Sequence, residues 1–285
     1  MKPICIALTN MSGIACASDR DHTIYQLSKR IPFAIVVNPD SPIPWYSIIE
    51  QYKLSGEPEE SEEFSDYVTH FIAFLSNHFA EKSWSNLPSD DTNVFFMGFG
   101  KEDLFPSVYD TVLKVNPENG QFEATQVGYN KISHQECTAI NHLCDIDSVS
   151  TLLLGVSNKT RDALLPLYTR LFESYKERVK KHFADTEYTS YVTQQLDGHE
   201  IEDSYYQTFY NAYGEVMSRT SVGLNTFSVE DLVTAVETLV NAEVRLKHLL
   251  SKGKEYPHLT KEIAVITRIE GVTWLKHSLF ALYTY

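Results

Sequence analysis

Cysteine is scarce in this chain, with four in 285 residues: Cys5, Cys16, Cys137 and Cys144. They are too few and too scattered for a disulfide framework. Long apolar runs are absent too. No stretch of 18 apolar residues could span a bilayer, and no basic segment leads into an apolar one at the N-terminus as in a secretory leader. Positive charge is in deficit: 24 Lys and Arg stand against 38 Asp and Glu, giving a net charge of −14 and a pI near 5.1. Phosphate backbones are held by clustered cations, so nucleic acid is not an expected partner. Repeats and low-complexity tracts are missing. The absences together predict a soluble protein of the reducing cytosol with no membrane contact.

What is present is a core. Apolar residues make up 43% of the chain and aromatic residues 12%, enough to bury a sizeable interior. The opening stretch from Pro3 to Thr23 reads as two short apolar strands, Ile4–Thr9 and Ile14–Ser18, joined by a tight Asn10-Met11-Ser12-Gly13 turn. A third strand follows at Pro32–Val37. A strand-bound start of this kind suits enzymes whose first residue is the nucleophile and whose own amine is the base.

Beyond the breaker-rich Asn38–Pro44, residues Trp45, Ile48, Ile49 and Tyr52 recur at helical spacing. An acidic link at 57–63 leads into a second helix with Phe64, Tyr67, Val68, Phe71, Ile72, Leu75 and Phe79 on one face. Asn93–Gly100 is a short apolar run read as a buried strand, and Ser107–Val115 with Gln121–Val127 reads as a hairpin. From about 140 the pattern turns helical. Asp162–Phe183 carries Ala163, Leu164, Leu167, Tyr168, Leu171, Phe172, Tyr175, Val179 and Phe183 on one face, residues 185–226 are weakly periodic, and Ser228 with Asp231 opens a helix to about Leu250. Glu262–Thr267 and Val272–His277 close the chain as a hairpin. Strands at both ends with helices between predict one α+β domain in which the closing hairpin pairs with the first strands.

Four stretches are similar to a known family. Gly13-Ile14-Ala15-Cys16-Ala17-Ser18-Asp19-Arg20 resembles the second strand of proteasome β-subunits. Ile43–Tyr52, Gly98–Ser107 and the Ile263–Lys276 hairpin resemble stretches, in the same order, of bacterial proteasome-subunit-like proteins. The resemblance implies the N-terminal-nucleophile hydrolase fold, a four-layer αββα sandwich of two antiparallel sheets flanked by helices. It further implies one domain over 1–285, with a helical insertion or extension at about 185–227.

In that family the nucleophile is an N-terminal threonine, an aspartate ends the second strand and a lysine begins the third. Asp19 matches the aspartate. Pro3 then stands at the threonine position, where it offers neither hydroxyl nor thiol. Thr23 stands at the lysine position and cannot supply the charge that poises the nucleophile's proton acceptor; Lys29 is six residues further on. Cys5 lies on the same side of its strand as Pro3. Freed by removal of Met1–Ile4, it would own an amine and could act as nucleophile beside Asp19; the alternative is a small buried hydrophobe. Lys2 protects the initiator methionine from removal, so Met1-Lys2 is expected to fill the family's cleft.

Other constellations are weaker. His134, Cys137, His142 and Cys144 match no standard zinc spacing and read as a loop-to-helix segment. Gly98-Phe99-Gly100-Lys101 lacks the spacing of a phosphate loop. Arg20, Asp21 and His22 sit beside the would-be cleft, with His22 read as a surface histidine at a strand end. The expectation is a degenerate site in a scaffold, assembly or binding subunit without metal or cofactor. Homo-oligomerisation is expected, with the 64–79 face as a candidate contact. The rival is an amide-bond hydrolase using Cys5.

Overall fold

The computed structural model describes residues 3–55, 63–81, 92–115, 122–143, 149, 151, 158–184, 186–197, 201–250 and 259–276. Contacts divide the chain into two compact units, Met1–Ile146 with Ser221–Tyr285, and Asp147–Thr220.

The first unit holds two five-stranded antiparallel sheets. Its strands are β1 (Cys5–Asn10), β2 (Gly13–Ser18), β3 (Ile24–Gln26), β4 (Phe33–Val36), β5 (Thr92–Gly98), β6 (Ser107–Val115), β7 (Phe122–Lys131), β8 (Thr138–His142), β9 (Glu262–Thr267) and β10 (Gly271–Lys276). One sheet has the order β10-β9-β2-β1-β8, the other β3-β4-β5-β6-β7. The closing hairpin therefore joins the opening strands, in the register Ile14↔Ile266 and Cys16↔Ala264. Alternation explains how a strand as apolar as β1 can be buried on both faces. Cys5 and Ala7 pack with Cys16, Ala34, Val36, Phe95, Met97 and Ala264 in a core built from both sheets. Ile6 and Leu8 fall on the opposite face, and helix Val229–Leu250 packs against β1 and β2.

Two helices near the N-terminus, α1 (Trp45–Ser55) and α2 (Phe64–Glu81), cover the second sheet. Their apolar stripes meet Phe33, Ile35, Val94 and Phe96 in one aromatic-rich cluster. Tyr52 and Phe71 meet edge to face at 4.8 Å, and so do Phe33 and Phe64 at 5.5 Å, a preferred geometry for ring quadrupoles. The 64–79 face is thus consumed inside this unit and is not available to another subunit.

The second unit contains α3 (Asn158–Phe183), α4 (Thr189–Asp197) and most of α5 (Ile201–Asn225). The side of α3 bearing Leu164, Leu167, Tyr168, Leu171 and Tyr175 is solvent-exposed. Back in the first unit, α6 (Val229–Leu250) opens with the reciprocal cap read from the sequence. Ser228 Oγ accepts the Asp231 N–H at 3.2 Å, and the Ser228 N–H donates to Asp231 Oδ2 at 3.1 Å. Its buried face is Leu232, Val236, Val240 and Val244.

Two expectations change. Residues 138–142 are not part of a loop leading to a helix but form β8, an edge strand paired with β1 (Leu8↔Ile140). The segment reads poorly as a strand because its residues alternate weakly and its pairing partner lies 130 residues away. The expected third strand is β4, and a short strand that was not expected, β3, precedes it and pairs with it (Tyr25↔Ile35). Of the weighed zinc ligands, Cys144 lies outside the described residues, as does the turn between β6 and β7, and no group of metal-holding side chains occurs among the described residues. No described helix is long and apolar enough to cross a membrane.

Candidate functional site

The starts of β1 and β3 and the end of β2 meet at one corner of the first unit. Pro3 is buried there, and the next residue is latched to Asp19 twice. Ile4 N–H donates to Asp19 Oδ1 at 2.7 Å, and Asp19 N–H donates to the Ile4 carbonyl at 3.1 Å. Thr23, immediately before β3, is fully buried. Its Oγ1 accepts from Ser18 Oγ at 3.0 Å and donates to the Arg20 carbonyl at 3.2 Å. Pro3, Asp19 and Thr23, the residues that the sequence resemblance matched to a nucleophile, an aspartate and a lysine, are therefore gathered at this corner. Lys29 lies beyond the far end of β3 from Thr23, exposed to solvent. Met1-Lys2 lies outside the described residues.

Cys5 is not at the surface of this corner. It is fully buried between the sheets, and its Sγ lies 3.3 Å from Cys16 Sγ on the neighbouring strand.

Asp19 is 5% exposed. Burial raises its carboxyl above the ordinary range, an effect partly offset by the Ile4 N–H and by the charges of Arg20 and Lys247. A carboxyl that holds its proton more tightly when folded loses stability as pH rises from the unfolded value of about 3.9 through the raised one. Asp19→Asn keeps an acceptor for Ile4 N–H and cannot ionise. The variant should be more stable than the parent near pH 7, with the gap closing toward about pH 3. Urea unfolding across that range checks it, and a deficit that grows with pH would contradict it.

Sequence reasoning missed the group that holds the corner together. Glu262, the first residue of β9, is fully buried. Its Oε1 accepts the His22 N–H at 2.7 Å, and its Oε2 accepts those of Thr23 at 3.0 Å and Ile24 at 3.1 Å. One carboxylate thereby satisfies three successive backbone donors at a turn where His22 is left-handed (φ 60°). Beside it, Lys261 N–H donates to the Ser18 carbonyl at 2.8 Å, and Lys261 Nζ pairs with Asp21 Oδ2 at 2.9 Å. Nothing in the pattern E-I-A-V-I marks its first residue as buried, since a strand-opening acid is ordinarily solvated.

Next to this corner lies an open cleft of about 670 Å³, bounded by Asp21, His22, Tyr25, Pro42, Trp45 and Tyr46 among others. Burial, with Glu262 and Tyr46 nearby, raises the Tyr25 phenol above its usual value, so Tyr25 remains a neutral O–H group at physiological pH. The cleft has the size and the aromatic lining of a ligand site.

No family model matches the chain, and no curated protein matches its sequence. Among solved structures it is similar to Anbu (ancestral beta-subunit) from Yersinia bercovieri. The two are 12% identical, with a TM-score of 0.32, and the match covers 57% of this chain and 70% of that one.

Among the described residues of the corner, neither Pro3 nor Thr23 offers an exposed nucleophile. Proline carries no attacking group, and Thr23 Oγ1 is committed to Ser18 and Arg20.

Proposed function

We propose that this chain is a non-catalytic member of the proteasome-subunit-like kind, a scaffold, assembly or binding subunit built on a four-layer αββα sandwich. Support for the sandwich comes from the succession of α1 and α2, the two facing sheets, and α6 against β1 and β2. On this reading the 185–227 region is an addition to a single domain. Support for the loss of chemistry comes from one observation: the family's nucleophile position holds Pro3, and the nearest thiol, Cys5, is sealed against Cys16. A thiol in apolar surroundings stays protonated and inert. The cleft beside His22 then serves to hold a segment of a protein partner or of a second copy. Tyr25, Trp45 and Tyr46 suit an extended chain bearing apolar side chains.

The test is a thiol-directed amidase probe combined with intact mass. The expected result is no cleavage between Ile4 and Cys5 and no labelling of Cys5 in the native protein, with full labelling after denaturation. A chain that starts at Cys5 and is labelled stoichiometrically would replace this reading with that of a hydrolase.

A further inference from the structure

Beyond β10 the chain continues through residues 277–285, which lie outside the described residues but whose chemistry is plain in the sequence. They contain no Asp, Glu, Lys or Arg, although such residues make up 22% of the chain. Leu279, Phe280, Leu282, Tyr283 and Tyr285 make the segment apolar and aromatic. A stretch of that kind gains by leaving water, and it needs a surface to leave for.

The strand before it delivers the segment to one place. Because β10 runs antiparallel to β9, its end returns to the start of β9, with Lys276 opposite Ile263. Next to Ile263 is Glu262, whose carboxylate accepts the His22 N–H at 2.7 Å, and His22 is part of the wall of the cleft of about 670 Å³. β10 also touches β4, whose chain continues into the opposite wall through Pro42, Trp45 and Tyr46. At 3.3–3.6 Å per residue, residues 277–285 reach about 30 Å when extended. The cleft is built on the residues beside their root and lies within that reach.

Cleft and segment also match in chemistry. The one carboxylate of the lining, Asp21, is paired with Lys261 at 2.9 Å, and Tyr25 is a neutral phenol. An uncharged occupant therefore strands no buried charge. Three prolines in the wall, Pro39, Pro42 and Pro44, fix its backbone in advance, so little order is lost when a chain settles there. Tyr46 is 55% exposed, an aromatic surface open to cover. The buried indole N–H of Trp45 has no acceptor among the described residues, and an extended chain brings carbonyls that suit such a donor.

We propose that residues 277–285 fold back into the cleft beside His22 of the same chain. The proposal rests on reading that cleft as the seat of an extended apolar chain, and it names the resident occupant that a protein partner must displace. The composition of the segment then defines the partner's docking stretch as uncharged and rich in aromatic side chains.

Two measurements on the full chain test this. With Phe280→p-benzoylphenylalanine, irradiation should crosslink the segment within one molecule onto peptides holding Tyr25, Trp45 or Tyr46, as read by mass spectrometry. A fluorescein-labelled peptide of sequence 277–285 gives the second readout, by anisotropy. In the parent it competes with a tethered segment at an effective concentration on the order of millimolar. Phe280→Asp frees the cleft and should bind the peptide about tenfold or more tightly than the parent does. Adding Tyr46→Ala, at an exposed position and with an unchanged circular dichroism spectrum, should abolish that gain. Crosslinks that join two copies would assign the segment to a second molecule and overturn docking within the chain, as would crosslinks outside the cleft. Equal peptide affinity for the parent and Phe280→Asp, lost on Tyr46→Ala, would remove the segment and leave the cleft to a partner. No peptide binding by any variant, with no crosslink into the cleft, would overturn both the docking and the reading of the cleft.

Discussion

Replacing Glu262 by alanine is expected to cost roughly 3–9 kcal/mol of folding free energy, on the basis of about 1–3 kcal/mol for each of three donors left without a partner. The carboxylate serves His22, Thr23 and Ile24 at once, and Glu262 itself is fully buried. A loss of that size approaches the whole stability of an ordinary domain, about 5–15 kcal/mol, so the variant should be largely unfolded at moderate urea. Glu262→Gln should cost less because one oxygen acceptor survives, although its NH₂ then faces a backbone donor. Urea melts of both variants decide the matter. An alanine variant within about 1 kcal/mol of the parent would mean that the clamp contributes little and that water takes over those donors.

The second large effect lies at Gly98, where only a hydrogen fits. A Cβ there would stand 2.0 Å from the Pro32 carbonyl oxygen and 2.5 Å from Phe64 Cε2. Neither neighbour can withdraw. Pro32 O accepts Phe99 N–H, and Phe64 is wedged among Phe33, Tyr67 and Tyr109. Gly98→Ala should therefore destabilise by about 3 kcal/mol or more, in the upper range for overpacking. Gly214 gives the matched contrast: it sits inside helix α5 with nothing within 4 Å of its would-be Cβ. Gly214→Ala should stabilise by roughly 0.5–1 kcal/mol through helix propensity. Thermal or chemical melts of the pair should move in opposite directions, and a Gly98→Ala variant as stable as the parent would mean that β5 does not end against Pro32.

Much of the fold was legible because its strands and helices advertise themselves locally. Phe64 to Phe79 marks one helical face, and Ile4 to Thr9 is apolar on both sides because both sides are buried. β8 was not legible, since its strand character comes from pairing with β1 and not from its own residues. β3 is three residues long, too short for a period to register. At the site, Pro3, Asp19 and Thr23 could be placed by counting along strands. Alternation put Cys5 on the side of Pro3 but left open whether it was a nucleophile or a buried hydrophobe, and its contact with Cys16 depended on the diagonal of a hairpin. Glu262 could not be found, because its role is set by a turn some 240 residues earlier in the chain.

That separation has a kinetic side. β2 gains its outer neighbour only when β9 exists, and Ile14 pairs with Ile266. During synthesis at about 5–20 residues per second, the opening hairpin leaves the ribosome on the order of ten seconds to a minute before the strand that completes its sheet. Until then β2 presents an unpaired apolar edge, the kind of surface on which nascent chains associate wrongly. Loop closure over such a span also slows refolding of the intact chain. The β9–β10 ribbon, made long after β1 and β2, is the one that commits those opening strands to their sheet.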